Sequence, residues 1–191
     1  RGNRKDLRNA VEAAHGAAGW SVNTAHNSAQ ILYYIAENLA ERSSEFAPRI
    51  NALCGTSTRH SAREVQASIE RLFTYAAWAD KWDGAVHHTP IRNVTLAMPE
   101  PLGVIGVVCP DEAPLLGFLS SVLPAVALGN CVVAIPSERY PLLATDLYQV
   151  FDTSDVPAGV INIVTGLRSE LIDTLAAHDD VDGLWYFADD E

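Results

Sequence analysis

The sequence predicts an α/β fold: a doubly wound, mostly parallel sheet preceded by an N-terminal helical region and an extended β-arm. Three observations carry that expectation. Leu102 to Cys109, Cys131 to Ile135, Val160 to Val164 and Val181 to Phe187 are short, largely apolar runs, rich in β-branched and aromatic residues and too short for ordinary helices. Helix-length segments alternate with them, as strand–crossover–strand units require. The central stretch, PLGVIGVVCPDEAPLLGFLSSVLPAVALGNCVVAIPSE from Pro101 to Glu138, has so little polar surface that its strands must be covered on both faces.

Taken in order, Lys5 to Ala18 is alanine-rich and reads as a helix stopping at Gly19. A second helix starts at Ser21, with Ile31, Leu32, Ile35, Ala36 and Leu39 on one apolar stripe. A short third helix runs from Phe46 to Cys54, with Pro48 in its first turn and Gly55 as its stop. Ser61-Ala62-Arg63-Glu64 matches a capping box opening a longer helix, whose buried stripe is Val65, Ile69, Leu72, Phe73 and Ala76 and whose end is Asp83-Gly84. Trp78 and Trp82, one turn apart, are expected in the core rather than in an aromatic ligand cage. Residues 83–100 alternate short apolar residues with Pro90 and Pro99 and read as an extended arm, with His87-His88 on a solvated strand.

Leu102 to Cys109 is then a buried strand closed by Pro110, and Pro114 to Leu128 a buried helix with Gly129-Asn130 as its stop. Cys131 to Ile135 is the next strand. Pro141 opens a helix with Leu142, Leu143, Leu147, Val150 and Phe151 on its buried side. Ser154 to Gly159 is a turn cluster, Val160 to Val164 a strand, Ser169 the cap of a helix through Ala177, and Val181 to Phe187 a last strand. The expected division is 1–82 helical region, 83–100 arm and 101–191 βαβ core. Ligands of such sheets sit off the carboxyl ends of the strands, which here carry Pro110-Asp111-Glu112 and Pro136-Ser137-Glu138.

Composition excludes several classes. With 191 residues, 48% apolar and 19% charged, the chain has the balance of one globular domain rather than of a disordered segment. A formal charge of −11 argues against a nucleic-acid surface. The basic cluster Arg1, Arg4, Lys5 and Arg8 reads as a solvated helix start rather than a phosphate patch. Cys54, Cys109 and Cys131 lack CxxC spacing and fit buried free thiols in a reducing cytoplasm. His87-His88 alone does not supply a zinc site, so no metal is expected. Residues 113–135 lack Asp, Glu, Lys and Arg, but Pro124, Gly129 and Asn130 break the run into two buried elements instead of a membrane span. The chain starts at arginine with no secretory leader, and its last strand ends four residues before Glu191, so a piece of a longer protein is expected.

The blocks E-P-L-G-V-I-G-V-V-x-P, A-x-x-x-G-N-x-V-V, P-S-E and P-A-G-V-I-N-I-V-T-G resemble the cofactor domain of the aldehyde dehydrogenases, in order and in spacing. More narrowly, the chain resembles the second module of the tandem, two-module members. The resemblance implies a Rossmann-like fold, NAD as cofactor, and an arm that contributes strands to subunit contact, hence a homo-oligomer or a companion aldehyde dehydrogenase module as partner. It also implies that the nucleophilic cysteine and general-base glutamate lie downstream, so no catalytic residue is expected in this chain.

The residues at cofactor-binding positions by this resemblance are Cys109, Pro110, Glu112, Ile135, Ser137, Glu138, Arg168, Ala188 and Asp189. Several depart from the family pattern. Glu112 stands where the family places an asparagine that donates to the oxyanion, a donor whose loss costs ~3 kcal/mol. Ile135 replaces the lysine of K-P-S-E, while Ser137 and Glu138 remain. Glu138 either accepts from ribose hydroxyls, which favours NAD over NADP, or is an exposed helix-start acid. Arg168 replaces the second glycine of T-G-x-G and either crowds the adenine region or meets a phosphate. Ala188-Asp189 replaces a glycine-serine pair, setting an acid against the pyrophosphate. Cys109 is expected to be inert, its thiol held up by Asp111 and Glu112. Together these changes predict a weakened or lost NAD site.

Overall fold

The computed structural model describes residues 1–188. Helix α1, Arg4–Gly16, starts one residue earlier than its alanine pattern suggests. Asn3 and Asp6 form a reciprocal capping box there, and Arg4, Lys5 and Arg8 are exposed on the helix start. The chain then makes a 3₁₀ turn, Ala18–Val22, in which Trp20 is buried and donates from Nε1 to the Val126 carbonyl. The expected helix at Ser21 therefore begins later. Helix α2 is Ala25–Glu41, capped by Thr24, which accepts from the Asn27 amide, and its stripe of Ile31, Leu32, Ile35, Ala36 and Leu39 is buried as expected.

Helix α3, Ser43–Cys54, ends at Gly55 in the left-handed region at φ 67°, the predicted stop. It starts three residues ahead of Phe46, so Pro48 lies inside the helix, beyond its first turn. Helix α4, Thr58–Ala79, corrects the capping-box reading. Its cap is Ser57, which accepts from the His60 amide, while Ser61 is fully buried one turn in and bonds back to the Ser57 carbonyl. Val65, Ile69, Leu72, Ala76 and Ala79 follow the i, i+4, i+7 spacing and are buried, whereas Phe73 stands at the stripe's edge against Tyr33.

Because α4 ends at Ala79, four residues before Asp83, Trp82 falls beyond the helix and Trp78 lies off its buried stripe. The two tryptophans are 54% and 57% exposed and stack edge to face at 6.2 Å, so the expectation of core packing is wrong. Strands β1, Ala85–His87, and β2, Thr95–Ala97, form an exposed antiparallel ribbon, with Val86 opposite Leu96.

The main sheet contains β3, Val104–Val108, β4, Cys131–Ile135, β5, Ile161–Ile163, and β6, Gly183–Tyr186. Their order is β5-β4-β3-β6 and each pair is parallel, as the alternating runs predict. Every residue of β3 and β4 is buried. Between them runs α5, Pro114–Ala127, which carries Pro114 in its first turn and stops at Gly129, φ 85°. Asn130 seals that stop by donating to the Ala125 carbonyl and accepting from the Leu102 and Gly103 amides.

The helix predicted after Pro141 is two short pieces, α6, Leu142–Asp146, and α7, Tyr148–Asp152, hinged at buried Leu147. Helix α8, Arg168–Ala176, begins at Arg168 with Leu167 as cap residue, in place of the expected Ser169 cap. The β3–α5–β4 and β5–α8–β6 crossovers run in opposite directions along the sheet, so right-handed connection puts α5 and α8 on opposite faces. Helix α1 packs with α8, and α4 packs over α5. Helix α5 is 14 residues long, and no described helix is long and apolar enough to cross a membrane.

Candidate functional site at the carboxyl edge of the sheet

Parallel strands end in loops at one edge, and three of those loops meet here through side chains. Asp111, three residues past the end of β3 at Val108, is their hub. Its carboxylate accepts from Ser137 Oγ at 2.6 Å, from the Arg139 amide at 3.3 Å, and from both terminal nitrogens of Arg168 at 2.8 and 2.9 Å. Arg168 Nη2 also donates to the Cys109 carbonyl at 2.8 Å. The pair is a fork-on-fork contact, the strong geometry for guanidinium and carboxylate. It is shielded, with 15% of the Arg168 side chain and 21% of the Asp111 side chain exposed. Burial alone raises the Asp111 carboxyl, but the bonds from Ser137, Arg168 and Arg139 outweigh it and hold the group below its ordinary value.

The expected site residues distribute around this hub. Cys109 and Pro110 lead from β3 into the loop, Ser137 and Glu138 follow β4, and Arg168 opens α8 after β5. Ser137 is buried and, besides its bond to Asp111, accepts from the Tyr140 amide. Glu138 is exposed and its Oε2 accepts from the Arg168 amide at 2.7 Å, so it caps α8 from outside the helix. Glu112 is exposed, and Ile135 is fully buried in the sheet. Ala188 is buried just past β6, and Asp189 lies outside the described residues.

Cys109 is buried, and its thiol is pushed up to about 12. The cause corrects the expectation: burial raises it, and the Arg168 charge pulls it down, rather than the neighbouring carboxylates driving it. Burial likewise pushes Cys131 up to about 11. Thiols so held are poor nucleophiles.

Two residues escaped sequence reasoning. The sequence places Asp111 at the strand ends as a neighbour of Cys109, not as the partner of Arg168. The signal for its role was an arginine where close approach calls for glycine, which needs a carboxylate to face it. The capping-box pattern predicts Glu64 as part of a cap on its own helix. Instead its Oε1 reaches across to α5 and accepts from the Leu115 amide at 2.9 Å and the Leu116 amide at 3.4 Å. It is 5% exposed, and burial pushes its carboxyl above the ordinary value while those amides and His60 pull it down.

A nicotinamide dinucleotide does not fit this set of residues. Its phosphates and ribose need donors and cations turned outward at the strand ends. Arg168 turns its guanidinium inward to Asp111 and the Cys109 carbonyl, and Ile135 offers an alkyl group buried in the sheet. Glu138 already accepts from the first amide of α8.

The comparisons with known proteins agree with the architecture. The aldehyde dehydrogenase family profile matches residues 1–187. An aldehyde dehydrogenase of Agaricus bisporus is 35% identical over 181 residues, covering 93% of this chain and 36% of the relative. A hydroxyisobutyraldehyde dehydrogenase of Mycolicibacterium austroafricanum is 37% identical over 188 residues, covering 97% of this chain and 37% of the relative. Among solved structures, betaine aldehyde dehydrogenase of Staphylococcus aureus in complex with NAD+ superposes with a TM-score of 0.92 at 27% identity, over 97% of this chain and 38% of that one. The chain thus spans a little over a third of the length of these proteins. By that match, and by the parallel sheet it accompanies, the chain belongs to the aldehyde dehydrogenase family.

Proposed function

We propose that this chain is part of an NAD-dependent oxidoreductase that oxidises an aldehyde to an acid. The observation that carries the reading is the family match across residues 1–187, and the aldehyde-oxidising relatives support the substrate class. By the family pattern the nucleophile and general base belong to the remainder of the whole protein, a reading supported by the raised thiols of all three cysteines, Cys54, Cys109 and Cys131. Purified full-length protein is expected to produce NADH from an aldehyde. Failure with aliphatic, aromatic and amino-aldehydes alike sinks this reading.

The bonding of Arg168 favours a second statement about this module itself. It is a non-catalytic, degenerate cofactor domain that supports a companion module or a second copy, in a reducing cytoplasm suited to its free cysteines. Its own NAD affinity is weak or absent. Each lost charge-assisted hydrogen bond costs ~1.5–3 kcal/mol, and every ~1.4 kcal/mol is about tenfold in affinity. Loss of the lysine at Ile135 and inward commitment of Arg168 together move a micromolar site toward millimolar. Calorimetry with NAD on the completed domain tests this. A micromolar dissociation constant would overturn this statement.

A further inference from the structure

The geometry points to a clamp: the carboxyl edge of the sheet is held together from within by Arg168 and Asp111, which join three loops just beyond the ladder bond from the Cys109 amide to the Ile135 carbonyl. The inference stands on this bonding alone and is independent of whether the whole protein oxidises aldehydes. Arg168 is the first residue of α8, where the loop after β5 ends. Its guanidinium grips Asp111 and the Cys109 carbonyl from the loop after β3. Asp111 in turn accepts from Ser137 and the Arg139 amide in the loop after β4. Removing Asp111 leaves the shielded guanidinium without a carboxylate, whereas removing Arg168 leaves Asp111 with Ser137, the Arg139 amide and the more distant Arg139 side chain at 3.9 Å.

The edge is also supplied with internal anions. Helix N-termini attract negative charge through their unpaired amides. Here Glu138 meets the first amide of α8, and Glu64, from α4, meets the Leu115 and Leu116 amides of α5. Two of the three helices that follow strands at this edge, α5 and α8, therefore carry a carboxylate of the chain itself at their start. Arg168 Nε is buried without a hydrogen-bond partner. The guanidinium is therefore held through its two terminal nitrogens, which bond Asp111 and the Cys109 carbonyl together. Arg168 and Asp111 thereby position these loops.

Hydrogen–deuterium exchange on the full-length protein tests the clamp without relying on activity. Arg168→Met and Asp111→Asn should each raise exchange in 109–112, 136–139 and 166–169 together, by about 10- to 100-fold, the factor one lost charge-assisted bond carries. The double variant should exchange no faster than either single one. Arg168→Lys, which keeps the charge but not the fork, should show the same three-loop pattern at smaller amplitude, and serves if Arg168→Met does not fold. Arg49→Met, which removes an exposed pair with Asp146, is the control and should leave all three loops unchanged. Loosening confined to 166–169, or additive effects in the double variant, would overturn the proposal. So would wild-type loops that become ordered only on adding NAD.

Discussion

Asp111 lies in the loop before α5 and Glu64 reaches the start of α5 from α4, yet their surroundings move them in opposite directions. Asp111 is held low by hydrogen bonds from Ser137, Arg168 and Arg139 despite its burial. Its contribution is present above its unfolded value of 3.8 and is lost as pH falls through the lower folded one. Glu64 is held high, by burial first, so the unfolded chain ionises it more readily than the folded protein does. Its ionisation therefore draws stability down as pH rises from its ordinary value of 4.5. Glu64→Gln keeps an oxygen to accept from Leu115 and Leu116 but carries no charge. Relative to wild type it is expected to gain stability between pH 4.5 and 7.5, measured as the difference in urea midpoints. Glu64→Ala, which abandons two buried amides, should lose stability at both pH values, by roughly 1–3 kcal/mol. A Gln variant whose offset from wild type ignores pH would contradict the assignment.

At the scale of elements, the start of α4 shows how a local pattern and a real cap diverge. Ser61 and Glu64 have the spacing of a capping box, but the helix begins one turn earlier, at Ser57. Both residues are thereby freed for burial: Ser61 bonds to the Ser57 carbonyl and lies beside the Thr56 hydroxyl at 2.8 Å, and Glu64 serves another helix. Ser57→Ala should cost about 1 kcal/mol through loss of the bond to the His60 amide, whereas Ser57→Gly should cost only a few tenths more than wild type. Thermal or urea unfolding reads both. An Ala variant as stable as wild type would mean that Ser57 is not the working cap.

For the whole molecule, the notable asymmetry is where apolar surface is left uncovered. Trp78, Trp82, Val86, Val94, Leu96 and Met98 are all exposed in a short stretch spanning the end of α4 and the ribbon of β1 and β2. Exposed clusters of this kind mark interaction surfaces more often than chance placement does. With an oligomer proposed, Val86→Glu and Leu96→Glu, opposite one another in the ribbon, should lower the molar mass of the full-length protein in light scattering. Because both side chains already face water, helix content should not change. Unaltered mass in the double variant would count against association through this ribbon.

The sequence by itself determined the order of strands and helices, the parallel sheet, and most buried faces. Those depend on local quantities: hydrophobic period, run length, and stops such as Gly55 and Gly129-Asn130. It also determined that positions 112, 135 and 168 depart from the family pattern, since a motif is read in one dimension. The tertiary structure alone decided what Arg168 does with its charge, because its partner Asp111 lies 57 residues away in the chain. It decided equally that Glu64 belongs to α5, 51 residues on, and that Trp78 and Trp82 face outward. A side chain's pattern says which face it occupies on its own element. Only the packing of elements says which donor, carboxylate or solvent that face meets.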